Sequence, residues 1–163
     1  MTRRKDRPTT NADFAPIVAQ GQRVLGLDYG SKRVGVAVSD SLLLLAHGRE
    51  TVHYRHRREL WEGLAALIQA EAVGLIVVGL PRRLSGEEGD MTARVRDFVT
   101  ELQARNNLPV ITWDERLTSR QAERMLHTPE QGRRRGKGEI DRAAAILILQ
   151  SYLDSLPGHK ASA

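Results

Sequence analysis

The sequence predicts a mixed α/β sandwich, and three observations lead there. Two β-type runs, 23–29 and 34–40, stand only a few residues apart, as in a hairpin. From about residue 57 onward, stretches of helical spacing alternate with short β-type runs. The run Gly74-Leu-Ile-Val-Val-Gly79 is wholly apolar, which suits a central strand covered on both faces. Strands that alternate with helices imply a parallel sheet in the second half, and the opening hairpin adds antiparallel strands.

The elements follow in order. Residues 1–20 are polar, contain proline and lack periodicity, so they read as a disordered basic arm ahead of one domain over 21–156. Arg23-Val-Leu-Gly-Leu-Asp-Tyr29 is the first strand and ends at Gly30-Ser31, and Val34–Asp40 is the second. A third strand lies within Leu43 to Val52. Leu60, Leu64, Leu67 and Ile68 recur at helical spacing over 57–72, and the apolar strand at 74–79 follows. Asp90 is expected to cap a helix to about Asn106, with Val95, Phe98, Val99 and Leu102 inside. Pro109–Trp113 is the next strand. Thr118 and Gln121 match a capping box for a short helix to Leu126. Residues 127–138 read as a flexible basic loop. The last helix is expected over 139–156, and Pro157-Gly158 stops it before a flexible tail.

Composition removes several function classes. With 163 residues and 40% apolar content, the chain suits one compact domain. It has no cysteine, which excludes disulfides, thiolate metal sites and cysteine nucleophiles. The longest apolar run, Leu42–Ala46, is far short of the roughly 20 residues of a membrane span. No apolar signal-peptide core follows the basic start, so a cytoplasmic protein without membrane contact is expected. Net charge is +5, and 21 of the 25 basic residues are arginine, a side chain whose fork suits phosphate oxygens. Aromatic residues make up 4%, so a nucleic-acid partner would be gripped by backbone and shape rather than by stacking.

Three acidic positions carry the chemistry. Asp28 ends an apolar strand, where a buried carboxylate needs a cation, donors or a proton; a plain turn residue is the alternative. Asp114-Glu115-Arg116 follows the strand ending at Trp113, and in parallel sheets the carboxyl ends of strands face the ligand crevice. Period-2 geometry sends Asp114 and Glu115 to opposite sides, so only one of them joins Asp28. Asp141 stands in the first turn of an otherwise apolar helix, where it also complements the helix dipole. Oxygen-only ligands favour Mg²⁺ or Mn²⁺, and two such ions about 4 Å apart can activate water and stabilise the leaving oxygen of a phosphodiester. Around this edge, Lys32, Arg33, Arg82, Arg83, Arg116, Arg133, Arg134, Arg135 and Lys137 are candidate phosphate contacts. Each is equally readable as a solvated loop residue. His53 and His56 read as solvated side chains at a helix entry.

These segments resemble the YqgF/RuvX family. Val24-Leu-Gly-Leu-Asp-Tyr-Gly-Ser-Lys-Arg-Val-Gly-Val-Ala-Val-Ser-Asp40 looks like its opening strand pair. Val77-Val-Gly-Leu-Pro81, Thr92-Ala-Arg94, Asp114-Glu-Arg-Leu-Thr118 and Lys137-Gly-Glu-Ile-Asp141 resemble its later motifs, in order and at family spacing. The resemblance spans 24–153. It implies an RNase H-like three-layer fold, with a five-stranded mixed sheet and helices on both faces, and often a homodimer. It also implies a metal-dependent nuclease whose acidic residues correspond to Asp28, Glu115 and Asp141. Family members are described as Holliday junction resolvases and as nucleases that mature the 5′ end of pre-16S rRNA, and the resemblance does not choose between branched DNA and pre-rRNA. The basic arm and Arg82-Arg83 depart from the family pattern. Two other classes stay open: a non-catalytic nucleic-acid-binding or ribosome-assembly module, and one lobe of an actin-like ATPase, whose first phosphate loop Gly26-Leu-Asp-Tyr-Gly-Ser31 resembles.

Overall fold

A computed structural model describes residues 19, 21–81, 89–115 and 136–157. Eight elements fall within them. They are β1 (Arg23–Tyr29), β2 (Arg33–Ser39), β3 (Ala46–His53), α1 (Arg57–Ala70), β4 (Val73–Leu80), α2 (Asp90–Arg105), β5 (Val110–Asp114) and α3 (Lys137–Asp154). The strands form one sheet in the order β3-β2-β1-β4-β5. β1, β4 and β5 run parallel, while β2 is antiparallel to both β1 and β3. The carboxyl ends of the three parallel strands therefore share one edge, with the start of β2 beside them. β4 lies between β1 and β5 and is buried along its whole length, as its unbroken apolar run predicts.

Alternation along each strand sorts side chains between two cores. Leu25, Leu27, Val34, Val36, Ile76 and Val78 meet α1 and α2 through Leu60, Leu64, Phe98 and Leu102. Val24, Ala37, Leu75, Val77, Ile111 and Trp113 meet α3 through Ala145, Ile148, Leu149 and Tyr152. Among the described residues the sheet thus carries two helices on one face and one on the other. α3 crosses β1 close to the backbone: a Cβ on Gly26 would lie 2.7 Å from Leu149 Cβ, so only glycine admits the helix there. Buried polar groups at the far end of the sheet are satisfied, with Ser39 Oγ accepting the Val24 N–H at 2.8 Å.

Some boundaries differ from the sequence reading. Residues 43–45 are not strand. Asp40 Oδ1 accepts the N–H groups of Leu44 and Leu45, at 2.7 and 3.3 Å, and Leu43 takes φ +58°, so the chain turns before pairing starts at Ala46. Asp90 does not cap α2: Gly89 is the N-cap, and Asp90 is the first helical residue, where its charge still suits the helix dipole. α3 starts at Lys137, two residues earlier than expected, with Gly136 as its N-cap. Asp141 consequently stands one turn inside the helix rather than in its first turn. The expected helix over 118–126, the loop over 127–135, and nearly all of the arm and tail lie outside the described residues.

Candidate active site

The three acidic residues meet because of which glycines flank Asp28. Asp28 shares the parity of Val24 and Gly26, so its side chain leaves the sheet on the α3 face, at the carboxyl-end edge. Its partner across β2 is Gly35, and one step beyond the Leu27–Val78 pair it lies beside Gly79 of β4. Over each glycine sits one of the other acidic residues. A Cβ on Gly35 would collide with the backbone carbonyl of Asp141, and would lie 3.2 Å from that residue's own Cβ. A Cβ on Gly79 would lie 2.8 Å from Glu115 Oε1. Two missing side chains therefore make the room in which β1, α3 and the end of β5 bring three carboxylates to one edge of the sheet.

The alternative between Asp114 and Glu115 resolves the same way. Ile111 and Trp113 face α3 and Val110 faces α1 and α2, so Asp114 departs to the α1/α2 side while Glu115 turns over Gly79.

The electrostatics show how closely the charges crowd. Burial, reinforced by the charges of Glu115 and Asp141, pushes the Asp28 carboxyl from its ordinary 3.8 up to about 7. Burial and the neighbouring Asp114 also push Glu115 up. Asp141 has a partner of its own: Arg33 Nε donates to its Oδ2 in an ion pair whose side chains are 31% and 21% exposed. Arg33 is fixed at the root of the β1–β2 turn, where its carbonyl accepts the Gly30 N–H at 2.9 Å. Beside it, Thr51 Oγ1 donates to the Gly138 carbonyl at 2.9 Å and ties β3 to the start of α3.

The basic candidates divide into three groups. Arg33 is paired with Asp141 and partly exposed. Lys32 and Lys137 are exposed at the same edge, on the β1–β2 turn and at the first residue of α3. Arg82, Arg83, Arg116, Arg133, Arg134 and Arg135 lie outside the described residues. His53 and His56 are exposed, as expected. The sequence reading missed the two glycines and the Arg33–Asp141 pair. The Asp28–Gly35 juxtaposition could have been found, since a short turn after Tyr29 sets a hairpin register that puts residue 35 opposite residue 28. Gly79 depends on a parallel register that no local signal specifies.

Among the described residues no three His, Cys, Asp or Glu side chains are drawn tightly enough together to ligate one ion. The donor set itself fits a hard divalent cation, because all three donors are carboxylates and Asp28 sits where a positive charge would relieve it.

Comparison with known proteins places the chain in a family and agrees with the fold. The RuvX family model, described as Holliday junction resolvase, matches residues 22–155. A candidate pre-16S rRNA nuclease of Halothermothrix orenii is 42% identical over 132 residues, covering 81% of this chain and 94% of the relative. Its counterpart in Geobacillus sp. is 45% identical over 135 residues, covering 82% and 98%. Among solved structures, RuvC of T. thermophilus in complex with a Holliday junction substrate is similar with a TM-score of 0.52 at 13% identity, over 85% of this chain and 97% of that one. The fowlpox virus Holliday junction resolvase gives 0.50 at 11% identity, over 83% and 100%. At such identities these two show the fold alone, and that fold is RNase H-like.

Proposed function

This chain belongs to the RuvX family of Holliday junction resolvases, a family of nucleases, and from that premise we propose that it is a divalent-metal-dependent endonuclease acting on structured nucleic acid. Pre-16S rRNA is its first candidate substrate, with the 5′ end as the expected place of cutting, because relatives at 42% and 45% identity are described as pre-16S rRNA nucleases. A four-way DNA junction is the second.

The observation that carries the reading is the crowding of Asp28 between Gly35 and Gly79, under Asp141 and Glu115. Burial and the charges of Glu115 and Asp141 oppose ionisation of Asp28, so gathering the three carboxylates costs stability. Asp28, central among them, would ligate on both sides, with Glu115 and Asp141 each completing one side. Mg²⁺ or Mn²⁺, two ions in the full site, would acidify a water and neutralise charge on the leaving oxygen. The protein's own part is positional. Glu115 would orient the attacking water from over Gly79, and Asp28 would hold the cation as a carboxylate. Lys32 and Lys137 hold the phosphates on either side of the scissile bond, and the arginines at 82–83, 116 and 133–135 extend that grip. A homodimer would present two such edges, as paired cuts in a four-way junction require. A cytoplasmic location follows from either substrate, and no helix among the described residues is long and apolar enough to cross a membrane.

The test is a paired cleavage assay on a precursor 16S rRNA 5′ fragment and a labelled four-way DNA junction, each with Mg²⁺, Mn²⁺ or EDTA. Wild type should cut one of them only with metal, and Asp28→Asn should bind without cutting. Binding with no cleavage of either substrate would replace the nuclease with a non-catalytic binding module.

A further inference from the structure

Arg33 points to a device that the three carboxylates alone do not contain. Of the three, Asp141 is the one it neutralises, through an ion pair that solvent still reaches. Its backbone is pinned at the β1–β2 turn, so only the side chain can move. The exposed Lys32 stands next to it in the chain, and the cross-strand neighbour is the exposed His53. The cation at Asp141 is thus a partly exposed guanidinium at an edge that solvent reaches. An ion that uses Asp141 must first compete with it.

We propose that Arg33 is an exchangeable counter-ion and a positioning residue: it occupies Asp141 in the resting site and transfers to a backbone phosphate of the nucleic acid when the substrate docks. A guanidinium fork matches phosphate oxygens at least as well as a carboxylate. Released from Arg33, Asp141 becomes free to ligate. Substrate docking and cation ligation at Asp141 therefore favour each other, and by thermodynamic reciprocity each tightens the other by the same factor. The Asp28–Glu115 side of the site carries no such dependence on Arg33. This inference rests on the metal-binding reading above.

Calorimetric titration of the intact protein with Mn²⁺ tests it, comparing wild type, Arg33→Met, Arg33→Lys and Lys32→Met. A partly exposed pair is worth up to about 1 kcal/mol, so Arg33→Met should bind its weaker Mn²⁺ roughly three- to fivefold more tightly. Lys32→Met, which removes the same charge one residue away, should raise that affinity clearly less than Arg33→Met does. The second readout is the affinity for a labelled four-way DNA junction in Ca²⁺ against EDTA, read by fluorescence anisotropy. Ca²⁺ should tighten wild type severalfold and Arg33→Met much less, with Arg33→Lys, which keeps charge but loses the fork, in between. A circular dichroism melt checks that each variant folds, and Arg33→Lys carries the test if Arg33→Met does not. Equal Mn²⁺ affinity and equal Ca²⁺ dependence in wild type and variants would overturn the exchange. So would an equal gain from Lys32→Met, which would reduce the effect to bulk charge. No Mn²⁺ binding by any protein, wild type included, would remove the metal reading itself and the exchange with it.

Discussion

Replacing Asp28 by Asn should stabilise the metal-free protein, and the amount can be worked from its surroundings. The carboxyl titrates at about 7 rather than 3.8 because burial and two neighbouring carboxylates oppose its ionised form. That displacement of about three units corresponds to a ceiling of about 4 kcal/mol, at 1.36 kcal/mol per unit. Water at the open edge and local relaxation reduce it, so about 2–4 kcal/mol is expected. The folded pKa lies above the unfolded one, so the folded state holds the proton more tightly. The penalty is therefore absent near pH 4, grows as pH rises toward 7, and is constant above that. Asn carries none of it. At 2–4 °C per kcal/mol for a chain of this size, Asp28→Asn should melt about 5–15 °C above wild type at pH 8 in EDTA, and close to it at pH 4. Millimolar Mn²⁺ should raise wild type at pH 8 and leave the variant nearly unmoved. Thermal melts of both proteins at several pH values, with EDTA or Mn²⁺, measure all of this. Equal melting temperatures at pH 8, or a gain that is the same at pH 4, would refute the crowding argument.

The remaining predictions concern the floor of the site and its surroundings. Gly79→Ala would drive a methyl group against Ile148 and Glu115 Oε1, so it should cost about 1–3 kcal/mol in a denaturant melt and weaken Mn²⁺ binding along with it. Glu115→Gln should lower cleavage at least about a hundredfold, whereas Asp114→Asn, on the other face of the sheet, should cleave like wild type in the same assay. Ser39→Ala removes the acceptor of the buried Val24 N–H and should cost about 1–3 kcal/mol by chemical denaturation, with cleavage unchanged at a temperature where the variant is folded.

Much of the architecture was legible because burial writes itself into periodicity. The unbroken run at 74–79 suited a strand with both faces covered, and it is the buried middle of the parallel set. Leu60 and Leu64 in α1, and Val95, Phe98, Val99 and Leu102 in α2, mark inner faces whose spacing alone identifies them. The acidic residues were legible as candidates for a different reason: carboxylates at the ends of apolar strands conflict with their surroundings, and such conflicts collect at functional sites. Alternation also showed that only one of Asp114 and Glu115 could reach Asp28. Which one depended on the face α3 covers, and that is decided by tertiary packing. The partner of Asp141 was hidden for the same reason. Arg33 and Asp141 are 108 positions apart, and nothing local marks an arginine in a turn as the counter-ion of a distant helix. Residues 43–45 fell inside the range expected to hold the third strand, but the Asp40 side chain accepts the Leu44 and Leu45 N–H groups instead.

The central claim is that Asp28, Glu115 and Asp141 form one divalent-cation site. Anomalous diffraction from crystals grown with Mn²⁺ tests it most directly. The account predicts a strong Mn²⁺ peak in contact with Asp28 and Glu115, absent from crystals of Asp28→Asn. A peak that avoids Asp28, or none at millimolar Mn²⁺, would contradict it.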